Sequence, residues 1–204
     1  MLQSWNVGKF LSLQMDRGNT YLIFQPFNYQ HYNKKMTEKH LLILNSQQIE
    51  QKLTRMAYQI LEDNFEEPEV IIAGILPSGG KVAGRLKNIL DEIAPFESRL
   101  IGIELDKDSS KLQARLDFDL EMCSNKVVIL VDDVLNSGKT IAYGFGVFRD
   151  VPLKKLRTAV LIDRNHKRFP MITDFAGMAL STVLKEHVQV VLDAEDEEDA
   201  VYLR

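Results

Sequence analysis

The stretch Val127-Val128-Ile129-Leu130-Val131-Asp132-Asp133-Val134-Leu135-Asn136-Ser137-Gly138-Lys139-Thr140 decides the fold of this chain. Its unbroken apolar start, Val127–Val131, reads as a strand buried on both faces, the mark of a parallel sheet. Two carboxylates follow at the carboxyl end, where open α/β sheets bind ligands. A small-residue turn then feeds a helix expected after Gly138, with Ile141, Phe145 and Phe148 on one face. The free backbone N–H groups and positive dipole end of such a helix form an anion seat. Carboxylates accept hydrogen bonds from sugar hydroxyls, whereas amides and the Ser137 and Thr140 hydroxyls donate to phosphate. A ribose 5-phosphate, with its diol one sugar-length from its phosphate, satisfies both halves.

Competing motifs fail on particular residues. Gly138-Lys139-Thr140 ends like a P-loop, but that pattern needs glycine where this chain has Asp133, whose charge would face a triphosphate. Gly74 to Lys81 has its first two glycines correctly spaced, yet Gly80 stands at the lysine position. Gly144-Phe145-Gly146-Val147-Phe148-Arg149 lacks the third glycine of a dinucleotide fingerprint. Reading Asp132-Asp133 as a polar strand end that caps the next helix leaves the surrounding strand–turn–helix context unused.

Outward from this segment, strands and helices alternate. Asn45-Ser46-Gln47-Gln48 predicts a capped helix start. Ile49, Leu53, Met56, Ala57, Ile60 and Leu61 then recur at helical spacing. Val70–Ala73 reads as a short buried strand, and Val82, Ala83, Leu86, Ile89, Leu90 and Ile93 mark a second amphipathic helix. Leu100–Leu105, Thr158–Ile162 and Val188–Leu192 read as further strands. The fold class is therefore α/β, a mainly parallel twisted sheet with helices on both faces. Residues 1–35 carry scattered aromatics without a sustained helical or strand period and read as an N-terminal extension to a domain spanning 36–204.

Composition narrows the function classes. The chain has 204 residues, 45% hydrophobic and 26% charged, which suits one globular domain with a sizeable core. A net charge of −4 argues against nucleic-acid binding by overall charge, though not by a local basic face. Cys123 is the only cysteine, so no intrachain disulfide forms. His31, His40 and His187 show no metal-ligand spacing. No apolar run approaches the ~20 residues of a membrane span, and no signal-peptide pattern opens the chain, so the expected compartment is cytoplasmic.

The central segment resembles the phosphoribosyl pyrophosphate motif of type I phosphoribosyltransferases. Gly74-Ile75-Leu76-Pro77-Ser78-Gly79-Gly80 sits where that family keeps its pyrophosphate loop. Leu161–Pro170 followed by Thr173–Gly177 is similar to its base-binding hood. Leu53–Ala57, Val131–Thr140, Ala159–Pro170 and Val190–Asp199 resemble the PyrR type, a pyrimidine attenuation regulator that is also a uracil phosphoribosyltransferase. The likeness runs from about Met36 to Leu203.

The resemblance implies that Asp132 and Asp133 are the catalytic pair that holds the ribose hydroxyls. Asn136, Ser137, Gly138, Lys139 and Thr140 would wrap the 5-phosphate, and Ser78, Gly79 and Gly80 would face pyrophosphate. Asp163, Arg164, Phe175 and Ala176 would belong to the base site. Mg²⁺ would be held mainly by the substrate's own oxygens and water, and relatives of this kind assemble at least as dimers.

Several positions depart from the family pattern. Asn136 stands where purine-using relatives place a carboxylate, and Asp163 replaces their base-reading lysine, so a pyrimidine is favoured over a 6-oxopurine. The pyrophosphate loop carries Leu76-Pro77-Ser78 in place of an arginine-containing sequence, with Lys81 the nearest cation. The Asp106–Asn125 segment is short for a closing loop, though Lys107, Lys111 and Arg115 lie in it. The expected activity is pentosyl transfer from phosphoribosyl pyrophosphate to a nucleobase, uracil first. The alternative is a nucleotide-sensing regulator that binds RNA through Arg164, His166, Lys167 and Arg168. The acidic run Asp193–Asp199 reads as a solvated turn and helix start. A chain beginning at Met36 is expected to fold without residues 1–35; loss of the cooperative melt in that truncation would contradict the proposed boundary.

Overall fold

The computed structural model describes residues 9–16, 19–26, 41–105, 114–116, 118–165, 167–181, 186–194 and 198–204. Chain contacts divide it into two compact units, Met1–His40 and Leu41–Arg204. The first contains an antiparallel hairpin of β1 (Lys9–Asp16) and β2 (Asn19–Pro26). This strand pairing differs from the sequence reading of residues 1–35 as lacking a period. The available signal was a glycine-containing link, Arg17-Gly18, between two runs rich in apolar and aromatic residues.

The second unit begins with β3 (Leu41–Asn45), which leads directly into α1 (Ser46–Asp63). Asn45 caps α1 reciprocally: its side chain accepts from the Gln48 amide at 2.9 Å, and the Gln48 side chain accepts from the Asn45 amide at 3.0 Å. Ile49, Leu53, Met56, Ala57 and Ile60 are all fully buried on one face, the stripe that the helical spacing predicts. Next come β4 (Glu69–Ile75), α2 (Ser78–Ile93), β5 (Glu97–Leu105), β6 (Ala114–Leu116), β7 (Val127–Leu135), α3 (Lys139–Val147), β8 (Lys155–Asp163) and β9 (Phe175–Ala179).

Six of these strands form one sheet in the order β6-β5-β4-β7-β8-β9. All neighbouring pairs are parallel except β5 with β6. Alternation along each strand sorts the core into two layers. Val70, Ile72, Val127, Ile129, Val131 and Leu161 pack beneath α1 and α2. Ile71, Ala73, Ile101, Ile103, Val128 and Leu130 pack on the opposite face, with Ile141 of α3 and Phe148 just after it. Helices cover both faces, as expected. The chain runs from β4 outward to β5, then returns to β7 on the other side of β4. The strand order therefore reverses between β4 and β7, and a crevice opens at their carboxyl ends.

A separate antiparallel sheet joins β3 to β11 (Ala200–Leu203) and β11 to β10 (Val188–Val191). This small sheet corrects the placement of the hood. Leu161–Asp163 and Phe175–Gly177 belong to β8 and β9 of the main sheet, because their apolar residues bury on both of its faces. The segment around Asp193–Asp199 also differs from expectation, since it leads into β11 rather than a helix. Arg85 of α2 pairs with Glu50 of α1 and with Asp193 and Asp199, tying the small sheet to both helices.

No helix among the described residues is long and apolar enough to cross a membrane. Two substitutions test the helix packing. Asn45→Ala is expected to cost about 1 kcal/mol by loss of the cap, and Leu53→Ala about 2–5 kcal/mol by opening a core cavity. Urea unfolding of each variant measures both, and equal effects would contradict the assignment of α1's stability chiefly to its buried face.

Candidate active site

The crevice between β4 and β7 is bounded by the starts of two helices. β4 passes into α2 through Leu76 and Pro77 alone, so Ser78, Gly79 and Gly80 form the first helical turn rather than an open loop. β7 continues through the acid pair to Leu135, further than the apolar run predicts, and α3 begins at Lys139. Neither helix has a side-chain N-cap. Apart from the Lys139 amide, which donates to the Ser137 hydroxyl, their first-turn amides consequently remain available to an anionic ligand.

Glycine makes this convergence sterically feasible. A Cβ on Gly79 would lie 2.7 Å from the Val131 carbonyl oxygen, 2.9 Å from Asp132 Cα and 3.1 Å from Asp132 Oδ1. The first turn of α2 therefore rests directly on the backbone that carries the acid pair. Gly74 permits the same approach from beneath, since its Cβ would meet Gly80 Cα at 2.7 Å.

Asp132 is buried and Asp133 half-buried. Asp132 Oδ1 accepts from the Asp133 amide at 3.0 Å, and Asp133 Oδ1 accepts from the Val134 amide at 2.9 Å. These local bonds hold both carboxylates at the strand end. In the following turn, the Ser137 carbonyl accepts from the Arg168 and Phe169 amides at 2.9 and 3.0 Å. Because a trans peptide sets C=O and N–H in opposite directions, those bonds turn the Gly138 N–H away from the 168–169 segment. Gly138 has φ +82°, a left-handed conformation that glycine adopts readily. The Ser137 hydroxyl accepts from the Lys139 amide at 3.3 Å, and the Lys139 ammonium lies 5.2 Å from the centre of the Tyr143 ring. Thr140 is half-buried in the first turn of α3.

Residues at the end of β8 form the neighbouring wall. Asp163 Oδ1 accepts from the Asn165 amide at 3.0 Å, while Oδ2 accepts from the Thr173 hydroxyl at 2.9 Å and pairs with Lys167 at 3.1 Å. Burial alone would push this carboxyl upward; the Asn165, Thr173 and Lys167 contacts outweigh it and hold Asp163 below the usual carboxylate range. Arg164 is only 4% exposed. Its Nη1 donates to Asn136 Oδ1 at 3.0 Å, and its Nη2 donates to the Glu186 carbonyl at 2.6 Å.

The structure thus brings together Asp132, Asp133, Asn136–Thr140 and Ser78–Gly80, with Asp163 and Arg164 beside them. It separates Phe175, whose ring is 7% exposed and packs in the core layer beneath α1, and thereby corrects its assignment to the base site. Ala176 stands next to it in β9, where its carbonyl accepts from Arg55 Nη2 at 2.8 Å. Lys81, the cation nearest the pyrophosphate loop in sequence, donates from its ammonium to the Leu192 carbonyl and ties α2 to the chain that follows β10. Nor do Arg164, Lys167 and Arg168 make one solvated basic patch, since Arg164 points inward and Lys167 pairs with Asp163. His166, Lys107 and Lys111 lie outside the described residues, and Arg115 is exposed on β6. Sequence reasoning missed the Asn136–Arg164 contact, which joins residues 28 positions apart and has no local signature.

A mainly parallel sheet with its strand-order reversal at an acid pair and two uncapped helix starts defines an α/β class with an anion-binding crevice. The phosphoribosyl transferase domain family matches residues 42–195. The chain belongs to that family. Among known proteins it is similar to the bifunctional protein PyrR of Ligilactobacillus salivarius, with 34% identity over 175 residues, covering 79% of this chain and 97% of that protein. It is similar also to the bifunctional protein PyrR of Streptomyces coelicolor, at 32% identity over 79% of this chain and 88% of that one. Its fold matches the hypoxanthine phosphoribosyltransferase of Trypanosoma cruzi in complex with the product IMP. That match has a TM-score of 0.67, 17% identity and coverage of 81% and 94% of the respective chains. A hypoxanthine-guanine phosphoribosyltransferase from Bacillus anthracis matches with a TM-score of 0.64, 18% identity and coverage of 82% and 97%.

Asp163 supplies a pH test of the wall. Its folded-state pKa lies below the ordinary value near 3.8, so its ionised form stabilises the fold above that pH. This contribution is lost as pH falls through the folded value. Asp163→Asn is expected to lower the melting temperature at pH 7, with the gap to the parent chain narrowing below about pH 4. A gap independent of pH in thermal melts would show that the carboxylate charge plays no part.

Proposed function

We propose that this phosphoribosyltransferase transfers the ribosyl phosphate group of phosphoribosyl pyrophosphate to a pyrimidine base, uracil before others. The observation that carries the reading is the acid pair at the end of β7, set between two uncapped helix starts. Asp132 and Asp133 accept from the ribose 2- and 3-hydroxyls. The turn from Asn136 to Thr140 donates to the 5-phosphate, and the first turn of α2, Ser78 to Gly80, faces the pyrophosphate. The C1–O bond to pyrophosphate breaks as a base nitrogen forms its bond to C1, and the pyrophosphate leaves with the bonding electrons. The nitrogen's proton passes to solvent or to the leaving group. Fixed positioning and charge neutralisation are the contributions these residues make to an oxocarbenium-like transition state.

Among the described residues no cluster of three or more His, Cys, Asp or Glu side chains is arranged to hold a metal ion. A pair of carboxylates fits a magnesium ion held mainly by the substrate's oxygens and water, with Asp132 and Asp133 as the nearest protein charge. The chemistry such an ion would supply is neutralisation of charge on the pyrophosphate, with Asp132 and Asp133 holding it beside the sugar.

A second reading, a nucleotide-sensing regulator of weak catalytic power, is favoured by the engagement of Lys81 with Leu192 rather than with the pyrophosphate turn. RNA contact in that case falls to Arg168 and Lys167 at the rim. A cytoplasmic location and assembly at least as a dimer complete the proposal.

The double substitution Asp132→Asn with Asp133→Asn is expected to abolish phosphoribosyl pyrophosphate binding in calorimetry. Asparagine retains the Oδ1 acceptor for the next amide, so the thermal melt should change little. Undiminished affinity would defeat the site. Pyrophosphate release with Mg²⁺, phosphoribosyl pyrophosphate and a panel of bases should be greatest with uracil. Absence of release with every base would favour the regulator, which should instead show a salt-dependent RNA shift relieved by uridylate.

A further inference from the structure

The turn between β7 and α3 is gripped from outside by the chain that connects β8 to β9. Two successive amides of that connection, Arg168 and Phe169, donate to the Ser137 carbonyl at 2.9 and 3.0 Å. The same stretch packs on the next residue of the turn. A Cβ on Gly138 would lie 3.2 Å from the Phe169 carbonyl oxygen and 3.3 Å from Met171 Cγ. The Ser137 carbonyl and the Gly138 N–H belong to one planar peptide, so whatever holds the first also fixes the second.

A connection that holds another segment needs anchors of its own, because ordering each free backbone residue costs conformational entropy. Its far end is fixed at Thr158 of β8. The Thr158 amide donates to Asp174 Oδ2 at 2.8 Å, and the Thr158 hydroxyl donates to the Ile172 carbonyl at 2.8 Å. Its near end leaves β8 after Asp163, where the Arg164 amide donates to the Leu135 carbonyl at 3.0 Å. One side-chain contact joins the two ends: the Thr173 hydroxyl donates to Asp163 Oδ2 at 2.9 Å. Asp163 is 6% exposed, in surroundings where water competes poorly for its oxygens. It also accepts from the Asn165 amide and pairs with Lys167, so Asn165, Thr173 and Lys167 all come from the connection itself.

We propose that Thr173 is a positioning residue: its clasp on Asp163 closes the connection from β8 to β9 and thereby fixes the Ser137–Gly138 peptide for an anion at the turn. The inference rests on the phosphoribosyl reading of the site and adds a control on its phosphate seat from a residue outside it. With the clasp open, the Arg168 and Phe169 amides separate from Ser137 more often, and the freed peptide has to be ordered again each time phosphate binds. Reciprocally, phosphate at the turn holds the connection closed. None of these contacts involves the first turn of α2, so the second anion seat is indifferent to the clasp.

Amide hydrogen exchange and calorimetry on the full chain test this with two substitutions. Thr173→Val keeps the shape of the side chain and removes the hydroxyl, whereas Thr173→Ser keeps the hydroxyl. In Thr173→Val the Arg168 and Phe169 amides should exchange about tenfold faster, while the amides of β4 exchange as in the parent chain. Ribose 5-phosphate should bind about three- to tenfold less tightly, and pyrophosphate with the parent affinity. Thr173→Ser should restore both properties. A hydroxyl that merely stabilises the fold would speed exchange throughout the domain and weaken both anions alike, which overturns the inference. Unchanged exchange at Arg168 and Phe169, or faster exchange there with undiminished ribose 5-phosphate affinity, overturns it as well. If Thr173→Val does not fold, the parent chain decides: saturating ribose 5-phosphate should slow the Arg168 and Phe169 amides more than those of β4, and equal slowing breaks the link between clasp and turn. A parent chain that binds no ribose 5-phosphate, while Thr173→Val still frees the two amides, removes the phosphoribosyl reading and with it the role of the clasp.

Discussion

The contact between Gly79 and the backbone of Val131 and Asp132 is the constraint on which the site depends. A parallel sheet places β4 and β7 side by side, but their following helices could still diverge above it. The absence of a Cβ at Gly79 lets the first turn of α2 settle on the end of β7, and Gly74 removes the corresponding obstacle beneath. Amides at the start of α2 then lie beside a carboxylate at the end of β7. Without that approach, the acid pair and the phosphate turn would remain a local motif, and no second anion seat would face them.

Electrostatics at the crevice follows from which charged groups are already engaged. Lys81 is tied to Leu192, Lys167 to Asp163, and Arg164 to Asn136 and Glu186. The positive character facing a ligand therefore comes chiefly from two helix starts, together with the exposed Lys139. Oriented backbone amides hold phosphate without the entropy cost of ordering long side chains. They give less charge neutralisation than an arginine in the pyrophosphate turn would supply. This balance connects the two proposed readings: the crevice offers more backbone amide donors than free cations. The likeness to proteins named bifunctional fits a crevice of that kind.

Much of the fold was legible in the sequence. Alternating apolar periods specified the layered sheet, the Asn45–Gln48 capping box marked the start of α1, and the acidic pair followed by small residues marked the turn between β7 and α3. Each is a short-range pattern that backbone geometry translates directly. The missed features depend on distant partners. The strand at Val188–Leu192 was legible, but the acidic run Asp193–Asp199 read as a helix start because the pairing of the following β11 with β3 spans most of the domain. Phe175 looked like a base-site aromatic, yet an aromatic side chain becomes a core residue or a binding platform according to what packs against it. The basic cluster dispersed for the same reason, since the identity of an arginine does not reveal whether it points inward.

The sequence by itself determined the α/β class, the strand that bears Asp132 and Asp133, and the glycines that permit close packing there. These follow from side-chain volume, hydrophobic period and hydrogen-bonding type, all properties of neighbouring residues. Only the tertiary structure decided which cations face the crevice and which way the Asn136 amide turns. That outcome depends on Arg164 arriving from another strand, and a donor-only guanidinium imposes a single orientation on whatever acceptor it meets.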